Sequence, residues 1–193
     1  PYTAELAALN NIQQKYLRSS KEMYVYPFIK AGLRTNASII KPDVKEYIHH
    51  VRTTFFDNIN FSNPTLINSS FLLDKITNYI FYINYSDNEQ TQQRLYQQAI
   101  ETVFSKVKNN VFKKNVIEFL VEKFEETKNL EIIDFLFENY YNQLPRSLIS
   151  NAFKNEKLTL LGTEVGRKAP DFSWKEKGEN LQLSTLNEAE NYV

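Results

Sequence analysis

The chain has 193 residues, with 23 basic and 23 acidic side chains, a formal charge of zero and no cysteine. The two signs are interspersed, so there is no electrostatic footprint for nucleic acid or an anionic membrane, and the missing thiols exclude disulfide staples and thiolate ligands within these residues. Hydrophobic residues make up 42% of the chain, enough to bury a core, but no apolar run is long enough to span a bilayer and no leader pattern occurs.

Gly32 is the only glycine before Gly162, whereas Gly162, Gly166 and Gly178 crowd the tail. A stretch so poor in breakers reads as helices, and the change of character around residues 162–166 marks a domain boundary, with residues 1–162 helical and 163–193 distinct. Leu6, Leu9, Ile12 or Gln13, and Tyr16 fall on one face of a first helix. Ser19 with Glu22 predicts a capping box for a second helix, in which Pro27 either makes a kink or begins a new helix. Pro42-Asp43 opens a third, with Val44, Tyr47, Ile48, Val51 and Phe55 on its buried stripe.

Asn63-Pro64 reads as an N-cap followed by a first-turn proline, whose missing donor costs nothing there. The segment it starts runs through Leu72, Ile76, Tyr79, Ile80 and Ile83. Ser86 with Glu89 predicts another capping box, and the helix after it carries Leu95, Tyr96, Ala99, Ile100, Val103, Phe104 and Val107. Asn109-Asn110 breaks that helix; Phe112, Val116, Ile117, Leu120, Val121 and Phe124 form the next stripe, and Ile133, Leu136, Phe137, Tyr140 and Tyr141 another after Lys128-Asn129. Leu144-Pro145 precedes a last helix with Leu148, Ile149, Ala152 and Phe153. Short breaks between amphipathic helices make antiparallel hairpins, so the expected fold is an all-α bundle of such hairpins followed by a short C-terminal β segment.

No nucleophile–base order, carboxylate pair or phosphate-cradling glycine loop stands out, and no catalytic, cofactor or metal residue is assigned. His49 and His50 are neighbours on a helix, about 100° apart, which is poor geometry for sharing one ion. Asp57, Asn60, Ser62 and Asn63 read as side chains satisfying backbone donors in a tight connection. The pairs Tyr24/Tyr26, Tyr79/Phe81/Tyr82/Tyr85 and Tyr140/Tyr141 are at spacings that suit a core with hydroxyls reaching water. Tyr82 and Tyr85 are the exceptions: they lie at a helix end, where an exposed ring can bind a partner.

The tail carries Gly166-Arg167-Lys168-Ala169-Pro170-Asp171-Phe172, then Leu181-Gln182-Leu183-Ser184-Thr185-Leu186, then Asn191-Tyr192-Val193. It resembles the opening of a thioredoxin-like domain of the TlpA-like thiol-disulfide oxidoreductases, up to just before the Cys-x-x-Cys helix. Phe55-Phe56-Asp57, the Ser62-Asn63-Pro64 turn and Leu73-Asp74-Lys75-Ile76-Thr77-Asn78-Tyr79 are similar to the N-terminal helical domain of unknown function that precedes such domains in bacterial envelope proteins. The resemblance implies a non-catalytic module that positions a C-terminal thioredoxin-like domain or recognises its partner. It also implies a periplasmic or envelope location, with a secreted or lipid-anchored parent acting on protein thiols or disulfides. In the family the nucleophilic thiolate sits at a helix N-terminus beyond the residues present here. Residues 166–193 are expected to be only marginally stable alone and to offer an open strand edge through which two chains can pair. The alternative is a standalone helical-hairpin scaffold that binds a protein in a groove, although no fixed repeat with marker residues occurs.

Overall fold

The computed structural model describes residues 2–35, 43–162, 173–176 and 179–182. Two compact units are present, Pro1–Leu148 and Ile149–Val193. In the first, α1 covers Tyr2–Ser20, α2 Tyr26–Gly32, α3 Val44–Thr54, α4 Pro64–Ile67 and α5 Ser70–Asn78, and a π-helical turn, Tyr79–Ile83, continues α5. Then come α6 (Glu89–Lys106), α7 (Asn110–Glu126), α8 (Leu130–Asn139) and a 3-10 turn, Tyr141–Gln143. In the second unit α9 spans Asn151–Gly162, and β1 (Ser173–Glu176) pairs antiparallel with β2 (Glu179–Gln182), setting Trp174 opposite Leu181.

One residue type starts most of the well-packed helices. The Oδ1 atoms of Asn63, Asn88, Asn109 and Asn129 accept from the backbone N–H groups of Thr65, Thr91, Phe112 and Ile132 at 2.9, 2.9, 2.9 and 3.2 Å. Each satisfies a donor that the first helical turn would otherwise orphan. α7 stops where Lys128 takes a left-handed φ of 53°. The Asn129 amide then reaches back to the Phe124 carbonyl at 2.9 Å and the Lys128 amide to Glu125 at 2.9 Å, the paired bonds of a Schellman ending. A lysine holds the place where glycine would be unstrained.

The interior of the first unit is built from the stripes of α6, α7 and α8, with α8 packed on both α6 and α7. Phe104, Phe112, Leu120, Phe124, Leu136 and Phe137 are all buried, as are Leu72, Ile76, Tyr79 and Ile80. Tyr141 is fully buried and its hydroxyl donates to Glu118 Oε1 at 3.0 Å, so the ring keeps a partner inside the core.

Several local expectations are corrected. Leu9, Ile12 and Tyr16 are exposed, and the inward side of α1 is Leu6, Gln13, Leu17 and the buried Ser20. The element it chiefly meets is α2, whose seven residues cover little of a 19-residue helix. Ser19 does not cap a second helix: it is still in α1, donating to the Tyr16 carbonyl at 3.1 Å. Pro27 lies in the first turn of α2, the second of the two outcomes expected for it. The segment after Asn63-Pro64 is interrupted when Ser69 closes α4 by donating through both N–H and Oγ to the Leu66 carbonyl, at 3.2 and 2.8 Å. Asn88, not Ser86, is the N-cap of α6. Leu148 and Ile149 precede α9 and Ala152 on it is exposed. The α3 stripe has no buried residue at all. Phe172 and Leu183, expected in the tail's strands, lie outside the described residues.

Leu120 is fully buried on α7. Leu120→Ala is expected to cost about 2–5 kcal/mol, since a cavity adds to the lost transfer energy. Urea unfolding checks this, and an unmoved midpoint would contradict the packing described.

Candidate functional site

The π-helical turn decides where the candidate tyrosines point. Its defining bond runs from the Asn84 amide to the Tyr79 carbonyl, five residues back, at 3.2 Å, and the Asn84 Nδ2 donates to the same oxygen at 2.8 Å. Tyr79 and Asn84 thus share an inward face and both are buried. Ile83, expected on the buried stripe, is only half-buried, because the wider turn hands its interior place to Asn84. Tyr82 falls on the opposite side.

Two aromatic clusters lock the turn. On one side Tyr79 meets Phe56 at 4.5 Å and Phe55 at 5.3 Å between ring centroids, with Phe61 5.2 Å beyond Phe56. On the other, Phe81 packs on Tyr96 of α6 at 5.7 Å and Phe124 of α7 at 5.1 Å. The chain leaving the turn is clamped by Gln92, whose Nε2 donates to the Asn84 carbonyl at 3.0 Å while its Oε1 accepts from the Ser86 amide at 2.6 Å. Arg52 of α3 donates from Nε to the Ile83 carbonyl at 3.1 Å, tying α3 to the turn's end.

Between α3 and this turn lies a groove of about 330 Å³. Tyr47, Ile48 and Val51 form one wall and Tyr82, Ile83 and Tyr85 the other, with Arg34 and Arg52 completing the lining. Tyr82 is 72% exposed and Tyr85 59%. The apolar stripe of α3 is therefore one side of an open groove rather than core. The element that α3 chiefly meets among the described residues is the turn. The Tyr85 hydroxyl donates to Asp87 Oδ1 at 2.5 Å, and this bond, then the carboxylate's charge, holds the phenol above its ordinary range. Lys75, with Nζ 5.7 Å from the Phe55 ring and 5.6 Å from Phe71, is held below its ordinary range by burial and then by the charge of Arg34.

Sequence reasoning singled out Tyr82 and Tyr85, and both line this groove. Tyr47, Ile48 and Val51 carried a visible stripe, but periodicity does not tell a core face from a docking face. Arg34 and Arg52 carried no sequence signal. Among the other candidates, His50 Nε2 lies 3.0 Å from the Thr35 carbonyl, and no group of three metal-ligating side chains exists among the described residues. Asn60 accepts from the Ser62 amide and Asn63 from two amides, while Asp57 Oδ2 accepts from Thr35 Oγ1 at 3.1 Å, across 22 residues. Tyr79 and Tyr141 are core, and Tyr140 is half-buried with its phenol raised by burial and then Glu101. No helix among the described residues is long and apolar enough to cross a membrane. No family model matches the sequence, and no curated protein and no solved structure matches it.

The Tyr85–Asp87 bond makes a direct prediction. The neutral phenol is favoured, so Tyr85, like Tyr96 and Tyr140, should ionise above the ordinary tyrosine range in an ultraviolet titration, and Asp87→Ala should move one of these raised ionisations down. An unchanged titration would show that the two side chains do not meet.

Proposed function

We propose that this chain is a non-catalytic recognition module whose working surface is the groove between α3 and the π-helical turn. One observation carries the reading: among the described residues the lining combines three tyrosines and two arginines with three aliphatic residues, with no lysine or carboxylate among them. Tyr and Arg are the residues enriched at interface centres, and Lys, Asp and Glu are depleted there. The turn that carries Tyr82 is fixed by aromatic packing of Tyr79 and Phe81 on its two sides, so its backbone has little freedom to lose on binding.

The helical part is, in this reading, a bundle of antiparallel hairpins; the break at residues 127–129 between the packed helices α7 and α8 is of the length such hairpins use. Its parent is an envelope thiol-disulfide oxidoreductase with a C-terminal thioredoxin-like domain. The module positions that domain or selects the protein thiols or disulfides presented to it. The support is the resemblance carried by Phe55-Phe56-Asp57, Ser62-Asn63-Pro64 and Ala169-Pro170-Asp171-Phe172, together with the lack of any cysteine to act as nucleophile here. A periplasmic or envelope location and pairing of two chains through the tail go with the same reading. The β1–β2 hairpin, with half-buried Trp174 and Leu181 facing across it, is a two-strand piece of the kind that gains stability from further strands.

The coding sequence of the parent gene is the test. A Trp-x-x-x-Cys-x-x-Cys pattern shortly beyond Val193 is expected. Its absence would overturn the oxidoreductase parent and leave the standalone scaffold, whose support is the groove alone.

A further inference from the structure

Resting on the recognition reading, we propose that the groove between α3 and the π-helical turn seats an acidic, apolar segment of a partner protein, its aliphatic or aromatic side chains lying against Tyr47, Ile48 and Tyr82 and an Asp or Glu side chain pairing with Arg34. The argument begins with charge. Among the described lining residues Arg34 and Arg52 carry the charge, and none of these residues is a carboxylate that could answer them. Asp87, on the same loop as Tyr85, is bonded to the Tyr85 hydroxyl. Arg52 is committed through Nε to the Ile83 carbonyl, so it shapes the groove. Arg34 is exposed, so it is the arginine available to a ligand.

An incoming carboxylate therefore meets an exposed guanidinium beside an apolar wall. An Arg guanidinium is suited to this task because it presents a planar fork to the two carboxylate oxygens. The same charges argue against other occupants. A second copy docked symmetrically through this groove would bring arginines toward arginines. A nucleic acid needs a basic stripe, and the chain as a whole is neutral. A purely apolar peptide would leave the cations unanswered and partly desolvated.

The test is a display selection of random linear peptides on the full chain, with parallel selections on Arg34→Glu and Tyr82→Ala. Both positions are exposed, and far-ultraviolet dichroism confirms that each variant is folded. Wild type should enrich peptides that combine Asp or Glu with Leu, Ile or Phe. Those peptides should bind Arg34→Glu about tenfold more weakly, the scale of a like-charge juxtaposition at an interface, and should lose binding to Tyr82→Ala. Replacing the peptide's acid with its amide should cost a similar factor on wild type and nothing further on a charge-neutral Arg34→Gln background, as a double-mutant cycle requires.

Enriched peptides that are neutral or basic overturn the inference. So do acidic peptides indifferent to both Arg34→Glu and the amide replacement, although if Tyr82→Ala still abolishes their binding the groove remains a recognition surface. Peptides that bind Tyr82→Ala as well as wild type, or the absence of any enriched peptide, overturn both the inference and the reading beneath it.

Discussion

The Tyr79 carbonyl accepts two hydrogen bonds from one residue, the amide and the side-chain amide of Asn84, and the arrangement of the groove depends on that pair. A π-type bond five residues back places Tyr79 and Asn84 together on the inward side and lets Tyr82 emerge on the other. Without it, an α-helical continuation of α5 would carry Ile83 toward the core, and the polar Asn84 would have no reason to be buried. Backbone groups at the end of the turn find side-chain partners that offset its irregular backbone: Arg52 takes the Ile83 carbonyl, and Gln92 takes both the Asn84 carbonyl and the Ser86 amide. π-type turns often mark functional sites, and here the physical reason is visible in the direction given to one side chain.

Around this turn the first unit combines two kinds of packing. Residues of α6, α7 and α8 make an aliphatic and aromatic interior with asparagine caps at each start, and Tyr141 contributes a buried ring whose hydroxyl is satisfied by Glu118. α1 and α3 are different. They present apolar residues to the surface because few described elements cover them, and in α3 the uncovered stripe meets the outward tyrosines of the turn. A rigid interior thus supports an exposed aromatic surface, an arrangement that lets binding proceed with little ordering cost.

The legible and illegible parts of the sequence divide along this line. Phe112, Val116, Leu120 and Phe124 announce a buried face because four-residue spacing and large apolar side chains agree, and Asn63-Pro64 announces a helix start because the cap and the missing donor have one common use. Ser86 and Asn88 are both good caps two residues apart, and the choice between them turned on Gln92 claiming the Ser86 amide, a contact that spacing alone does not reveal. The π turn has no local code; Tyr79 to Ile83 are ordinary helix residues, and only the burial of Asn84 selects the wider turn. Val44, Tyr47, Ile48 and Val51 formed a clear stripe with the wrong destination, because a hydrophobic period reports that a face is apolar and says nothing of what covers it. Tyr82 and Tyr85 were legible as exposed candidates from their place at a helix end, whereas Arg34 and Arg52 gained meaning only when the fold brought them beside those rings.

Amide hydrogen exchange on Asn84→Ala compared with the unaltered chain tests the central role of the π turn most directly. Removing Nδ2 deletes one of the two bonds to the buried Tyr79 carbonyl and leaves the backbone amide bond in place, a loss of about 0.5–1.5 kcal/mol. The account predicts faster exchange at residues 84–86, with the protection of the α7 amides around Leu120 nearly unchanged, because those amides are bonded within α7 and open with the helix as a whole. Exchange at residues 84–86 that matches the unaltered chain would contradict it, since the groove's tyrosines would then be placed by something other than the Asn84–Tyr79 pair.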